Sequence, residues 1–397
     1  MRAHRARARG VGAAVLLGAS DAASVAGVSG LSVVEQALSL QPFELLERSD
    51  ARIQALPLGR DTSSSAANET LFRFAVISDT HFWLPSTARA QWSRQSDEQP
   101  ERDGLLVSDS DTIVQQLMVE LSQFAASGGS FAVHAGDSVC GGGSFRPPLR
   151  EYERGLQTFR EQQRAAFGSW PVFHVPGNHD LDPIEGGLAT WRRTLGSVGN
   201  SSHTELAYRA LRVVPGWRLL LLDSMDGVAH DKDGHGHIGE AQLAWLASQL
   251  EQSAAASEQV ILVMHQLLVS PVDESEQEDE SGLPSWLDWR GDFVDNRDEV
   301  LALLARYSHV RLSFHGHVHA NTLTSRHGVA FVTNAAASEY PMQWREVTVR
   351  PCELQIRTRS IQAPVLFEKS RLRDTRAGRN KIKVGTQMAN AVSLRTC

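Results

Sequence analysis

The chain has 397 residues, of which 42% are hydrophobic and 21% charged, and its formal net charge is -7 at pH 7. That balance suits a water-soluble enzyme with a sizeable core and excludes a polybasic, sequence-reading nucleic-acid binder. Three cysteines, Cys140, Cys352 and Cys397, are too few and too scattered for a disulfide framework and leave the redox compartment open.

The N-terminal seventy residues differ from the rest. Arg2, Arg5, Arg7 and Arg9 precede any acidic residue, and the short apolar stretch 11–18 leads into Ala, Ser and Gly. Residues 1–30 are therefore expected to be a signal or transit segment, for export or an organelle, with an untargeted cytoplasmic chain as the alternative. The stretch is far shorter than the roughly 20 residues that cross a bilayer, and Asp21 interrupts it, so no transmembrane span is expected. Within 31–70, residues 31–48 read as a short helix and Pro57 with the 63–67 tract as linker. Asn68-Glu69-Thr70 and Asn200-Ser201-Ser202 would accept glycans only in a secretory compartment.

From residue 71 onward strands and helices alternate, as a layered α/β sandwich requires. An apolar run without Pro or Gly, 72–78, stops at Asp79-Thr80-His81. Ile113, Val114, Leu117, Met118, Leu121 and Phe124 line one face of a helix over 111–126. The strand 131–134 leads into Gly136-Asp137, and 172–175 leads through Pro176 into Gly177-Asn178-His179-Asp180. A strand over 218–222 is followed by a helix from 240 through 250, whose Gln242-Leu243-Ala244-Trp245-Leu246 reads as core packing. The strand 260–264 ends at His265, and Gly316-His317-Val318-His319 follows an apolar segment near 309–314. That segment, 329–333 and 346–350 are expected to build the second sheet, and the basic stretch from Arg371 to be a loosely attached tail, with 361–397 outside the main domain.

These polar clusters share a setting, because each follows an apolar strand. In open α/β sheets the carboxyl ends of the strands form the rim where ligands collect, so residues distant in sequence can converge there. Glycine beside Asp137, Asn178 and His317 fits turns in which backbone must approach an ion or a phosphate closely. Imidazole and carboxylate without thiolate suit manganese, iron or zinc, and an amide such as that of Asn178 adds a neutral ligand. Two such ions about 3.5–4 Å apart can hold a hydroxide between them and clamp the attacking and leaving oxygens of an in-line displacement at phosphorus.

The ordered series Asp79-x-His81, Gly136-Asp137, Gly177-Asn178-His179-Asp180, His265 and Gly316-His317-x-His319 resembles the calcineurin-like metallophosphoesterase superfamily over roughly residues 71–360. The resemblance implies an α/β sandwich of two mixed β-sheets flanked by helices, in one catalytic domain. It implies two divalent metal ions, one held by Asp79, His81 and His319, the other by Asn178, His265 and His317, with Asp137 bridging both. His179 takes the role beside the scissile phosphate, donating a hydrogen bond or a proton, as a group that changes charge near neutral pH can.

Other residues are read more plainly. The 231–237 run, with His235 and His237, is a solvated loop by its glycine and charge. His134, His174 and His315 are supporting or packing residues, and Asp180 either orients His179 or caps a helix. Two insertions, the glycine-rich 140–148 with Arg146 and the acidic 273–280 followed by Trp286 and Trp289, are candidates for substrate choice.

Departures from sub-family patterns narrow the activity. The Val-Asp-Arg-Gly continuation of protein serine/threonine phosphatases is absent after Gly136-Asp137, and Cys140 stands where purple acid phosphatases place an iron-ligating tyrosine. The Gln-Leu-x-Trp-Leu segment looks like one met in cyclic-nucleotide and related small-substrate phosphodiesterases. The leading expectation is a two-metal phosphodiesterase of small nucleotides or 3',5'-cyclic nucleotides. The alternatives are a phosphomonoesterase and a catalytically silent scaffold of the same fold.

Overall fold

The computed structural model describes residues 53–55, 69–83, 104–141, 147–181, 186–196, 207–226, 234–270, 293–374 and 383–396. The expected targeting segment, the helix over 31–48, the linker, both glycan-acceptor asparagines, Arg146, the acidic run, Trp286 and Trp289 lie outside them. Two β-sheets form the centre. One has the order β1 (Ile53–Ala55), β5 (Arg209–Val214), β6 (Trp217–Leu221), β7 (Gln259–Val263), β8 (Val310–His315), β10 (Val329–Thr333), β9 (Thr322–Arg326). The other has the order β13 (Ala391–Arg395), β12 (Glu353–Ser360), β11 (Gln343–Arg350), β2 (Phe72–Ile77), β3 (Phe131–His134), β4 (Val172–His174). Both mix parallel and antiparallel pairs, which is the expected fold class.

The near-continuous apolar strands follow from burial on both faces, since alternate side chains point to opposite sides. Phe72, Phe74 and Val76 of β2 face the other sheet, where they meet Leu219, Leu221, Ile261, Val263, Leu312 and Phe314. The Phe74 ring stacks on Phe131 with centroids 5.1 Å apart and meets Phe314 of the opposite sheet edge-on at 6.2 Å. Ala75 and Ile77 point outward instead, under α1 (Ser110–Ala126), which buries Ile113, Leu117, Leu121 and Phe124 against them. On the far side Leu220, Val260 and Leu262 are covered by α5 (Glu240–Ala255) and α6 (Arg297–Leu304) through Leu243, Leu246, Leu250, Val300 and Leu303. Helices α2 (Leu149–Phe167), α3 (Asn178–Leu181) and α4 (Gly187–Thr194) pack near the site end. Among the described residues, no helix is long and apolar enough to cross a membrane.

The architecture departs from the sequence reading in four places. Residues 53–55, within the stretch read as helix and linker, pair in parallel with β5. Strands β8 and β10 belong to the seven-stranded sheet, and only β11 joins β2 in the other. Cys352 is disulfide-bonded, with its partner outside the described residues, so the cysteines carry a cross-link that their scatter did not suggest.

The fourth departure is the C-terminal stretch, which is no loose tail. It contributes α7 (Pro364–Arg373), the short α8 (Gln387–Asn390) and β13, which pairs antiparallel with β12 from Glu353↔Arg395 to Arg357↔Ala391. Val392 and Leu394 supply the alternating apolar face. The fully buried Arg345 reaches the segment through the carbonyl of Ala389 and also bonds Asn321 Oδ1 at 2.8 Å. Basic composition suggested solvation, but the charge that matters, on Lys383, is buried against acids.

Candidate metal centre

Strands β2, β3 and β4 run parallel in one sheet, and β7 and β8 run parallel in the other. Their C-terminal ends therefore open on one edge, and the residues shortly beyond them are Asp79, Asp137, Asn178, His265 and His317. Backbone bonds lace these turns together: Asp79 N–H donates to Gly136 O at 3.1 Å, His81 N–H to Asp137 O at 3.1 Å and Gly316 N–H to His265 O at 3.1 Å.

The turns are bent into unusual shapes. Asp79, His81, Asp137, His317 and His319 have φ of 53°, 42°, 55°, 71° and 54°, a left-handed region that non-glycine residues occupy at a cost of about 1–3 kcal/mol each. Such strain persists where surrounding structure over-determines it, and it gathers at functional sites. The neighbouring glycines permit the closeness: a Cβ on Gly136 would strike the His265 ring, and one on Gly177 would strike the Asp137 carboxylate.

Three groups of possible ligand atoms result, each with its atoms within 4.8 Å of one another: Asp79, His81 and His319; His81, Asp137 and His179; and Asp137, His265 and His317. His319 Nε2 is 3.1 Å from His81 Nε2 and 3.3 Å from Asp79 Oδ1. His265 Nε2 is 3.1 Å from Asp137 Oδ2, and His81 Nε2 lies 3.8 Å from the same oxygen. Asn178 Oδ1 is buried without a hydrogen-bond partner, which suits an amide oxygen waiting for a cation. Donors of this kind, acids and imidazoles with one amide and no thiolate, fit divalent-metal binding.

The charges are tuned for it. Burial would raise the Asp79 carboxyl, yet His319 and His265 outweigh burial and bring it down to about 2. Asp137 is likewise held well below the usual carboxylate range, against burial, by His265, His179 and His81. Burial, aided by His179 and His319, lowers His81 to about 3, so its ring is neutral and keeps a lone pair to donate. Burial also works against the charged forms of His265 and His319, but Asp137 raises the first to about 9, and Glu339 with Asp79 raises the second to about 10. Those are protons that a bound cation would displace.

Supporting contacts orient the rings. His265 Nδ1 lies 2.7 Å from the carbonyl of Ala135, and His319 Nδ1 bonds Glu339, so both present Nε2 to the centre. His317 N–H points to Asp79 Oδ1 at 3.2 Å, and the N–H of His265 donates to Ser224 Oγ at 3.3 Å. His315 bridges Gln266 O and Ser313 Oγ at 2.8 Å each, holding the turn after His265. His134 and His174 lie behind the centre in a buried network with Thr80, Ser138 and Gln163. Asp180 takes the capping role: from inside α3 one oxygen accepts the N–H of Gly177 just before the helix, and the other accepts the N–H of Val139, strapping the Asp137 turn to the Asn178 turn.

His179 is half-buried at the mouth, its ring centroid 4.9 Å from that of His81 and its backbone N–H donating to Asp137 Oδ1 at 2.8 Å. His235 stays outside, paired with Asp295 at 2.9 Å. Cys140 is a buried thiol whose Sγ donates to the His81 carbonyl at 3.1 Å. Sequence reasoning missed Glu339, Lys383, Asp374 and Ser224, none of which sits in a recognisable motif. It also took Gln242 for core packing, whereas its amide bonds the Asp223 backbone.

Relatives extend the geometry. The chain is 29% identical over 173 residues, 43% of its length, to the 3',5'-cyclic adenosine monophosphate phosphodiesterase CpdA of Escherichia coli (strain K12), covering 48% of that protein. It is 25% identical over 209 residues to the manganese-dependent ADP-ribose/CDP-alcohol diphosphatase of Oryza sativa subsp. japonica, covering 43% of this chain and 59% of that one. The chain thus spans about half the length of the curated relatives it matches. Among solved structures, a dimetal phosphatase from Danio rerio shares the fold, with a TM-score of 0.54 at 16% identity over 74% of this chain and 97% of that one. The family model for calcineurin-like phosphoesterases matches residues 72–321, from the first residue of β2 to the residue before β9, and takes in Asp79, Asp137, Asn178, His265, His317 and His319. With well over half its residues inside that match, the chain belongs to the calcineurin-like phosphoesterase family.

Proposed function

We propose that the chain is a metal-dependent phosphoesterase that hydrolyses small phosphodiesters, with nucleotides or 3',5'-cyclic nucleotides as the substrate class. The observation that carries this reading is the pair of ligand groups, Asp79–His81–His319 and Asp137–His265–His317, joined through His81 and Asp137. Asp79, His81 and His319 would hold one ion, Asn178, His265 and His317 would hold the other, and Asp137 would be shared between them. When bound, two divalent ions supply the positive charge that activates water and neutralises phosphate oxygens; manganese, iron and zinc all suit the donors.

The protein's own groups do the rest. Asp79 and Asp137 keep their negative charge across the working pH range, so they fix cations without competition from protons. His179 stands at the open side, anchored by its backbone bond to Asp137, where its ring can donate a hydrogen bond to the phosphate and a proton to the departing alkoxide. The names of both curated relatives specify nucleotide substrates, which supports a small nucleotide here. The disulfide at Cys352 supports an oxidising compartment, as an exported chain would meet.

The test is direct. The full chain, stripped of metal and reloaded with manganese, is assayed on bis(p-nitrophenyl) phosphate beside p-nitrophenyl phosphate. Metal-dependent cleavage that favours the diester is expected, with Asp137→Ala losing at least about a hundredfold of activity, as removal of a shared anionic ligand should. Monoester preference would move the assignment to a phosphatase. Undiminished turnover by a folded Asp137→Ala chain would refute the site.

A further inference from the structure

Both oxygens of the buried Glu339 carboxylate are engaged. One bonds His319 Nδ1 and the other receives the ammonium of Lys383, which also donates to Asp374 Oδ2 at 2.6 Å. Glu339, Lys383 and Asp374 are 0%, 1% and 6% exposed. Among the described residues the two carboxylates share the Lys383 ammonium, and the side of Glu339 turned to the centre meets the His319 ring. Burying an ammonium between acids is no better for stability than apolar packing of the same volume, so an ion pair of this kind calls for a use. A carboxylate behind an imidazole fixes which nitrogen carries the proton, fixes the ring's direction and makes the other nitrogen a better donor to a cation.

The lysine arrives by a built route. The N–H of Asn321, two residues beyond His319, donates to the Lys383 carbonyl at 3.0 Å. Gly385, at φ 72°, lies so close to the Asn321 backbone that any Cβ would collide with it. Arg345 then ties Asn321 to Ala389, and β13 anchors the segment in the sheet. Glu339 and Lys383 both lie beyond the residues that the family model matches.

We infer that Glu339 is the positioning residue of His319 and that Lys383, carried back by the C-terminal segment, locks that carboxylate in place, so the segment completes the metal centre. This rests on the metal-binding reading above. Lys383 holds Glu339 Oε1, which leaves Oε2 aimed at the imidazole, and Asp374 keeps the ammonium from taking both oxygens.

The experiment uses full-length chains freed of metal and titrated with manganese by calorimetry, alongside thermal melting of the metal-free forms. Wild type is expected to take up two ions. Glu339→Gln, which keeps the shape and removes the charge, should weaken one of them by about 10–100-fold and leave the other within about threefold. Lys383→Met should weaken the same ion, and Lys383→Arg, which restores the cation, should recover most of the loss. A merely structural role would lower the melting temperature and loosen both ions alike, and that result would overturn the inference. Equal uptake by wild type and Glu339→Gln would overturn it too, as would a Lys383→Arg chain no better than Lys383→Met. If Lys383→Met fails to fold, Asp374→Asn takes its place beside Glu339→Gln, since both keep the side-chain volume: Asp374→Asn loosens the hold on the ammonium and should weaken the same ion, and uptake equal to wild type would overturn the inference. A wild-type chain that takes up no manganese would overturn the metal-centre reading itself and this inference with it.

Discussion

Gln242→Leu is expected to destabilise the chain far more than its nearly unchanged volume suggests. Gln242 is fully buried on α5; its Oε1 accepts the Asp223 N–H at 2.8 Å, and its Nε2 donates to the Asp223 carbonyl at 2.8 Å and to Asp226 Oδ2 at 3.2 Å. Asp223 is itself only 1% exposed, so leucine would leave its N–H in the interior with no water to replace the amide, and its C=O with only the long 3.4 Å bond from the Asp226 N–H. An orphaned buried donor costs about 1–3 kcal/mol, and the loosened carbonyl adds to it, which puts the loss at about 2–3 kcal/mol. Total stability is typically about 5–15 kcal/mol, so a change of that size is readily measured. Urea unfolding of the metal-free chain gives the number from the shift in midpoint at unchanged slope. Leu246→Met on the same helix is the control, because that volume-conserving swap of a fully buried leucine should cost less than about 1.5 kcal/mol. The effect should also reach the metal centre, since the turn that Gln242 holds carries Ser224, whose Oγ accepts the His265 N–H. A Gln242→Leu chain no less stable than Leu246→Met would refute the reasoning.

Acid should attack the network behind the centre. Burial lowers His134 to about 3 and pushes His174 well below its ordinary value, with the nearby His134, Arg160 and Arg209 adding to the effect on His174. The folded chain then binds fewer protons than the unfolded one below the ordinary histidine range, so stability is full above about pH 6.5 and falls as the pH drops towards 3, by about 1 kcal/mol per unit for each ring. In His134→Gln the slope of stability against pH between 6 and 4 should lessen by about one proton, and an unchanged slope in urea unfolding would sink the assignment. The cysteines offer a second check. With Cys352 in a disulfide and Cys140 a thiol, the denatured chain should expose one of its three cysteines to a thiol reagent before reduction and all three after it. Three reactive thiols before reduction would contradict the cross-link.

The strands that deliver the site were legible because each is a short apolar run closed by a polar turn, a pattern that survives whatever packs against it. The helices over 110–126 and 240–255 announced themselves by period for the same reason. Sheet membership was not legible. Nothing in the residues of β8 and β10 tells them from β11, because all three are buried strands and the sheet that each joins is settled by partners far away in sequence. Residues 53–55 were hidden by their neighbours, since three residues cannot display a period and the pairing with β5 lends them their order. Glycine beside Asp137 and Asn178 did point to close backbone approach, and the collisions a Cβ would make at Gly136 and Gly177 bear that out.

The acids explain why part of the site stayed out of reach. Asp79 and Asp137 stand just past strand ends, one two residues before His81 and the other directly after Gly136, a frame that marks a carboxylate as a candidate ligand. Glu339 stands between Ser338 and Tyr340 with no such frame, and its use is defined only by His319 on one side and Lys383 on the other. A lysine in a basic stretch is ordinarily solvated, so averaging over composition predicts a loose tail. The prediction fails where the charge of Lys383 is matched in the interior and where β13 completes the ladder on β12. A lysine clamped between two buried acids, on a strand-anchored segment that abuts Asn321, costs more to free than to keep. The sheet that carries Asp79 and Asp137 therefore extends to β13, past the last of the ligand motifs.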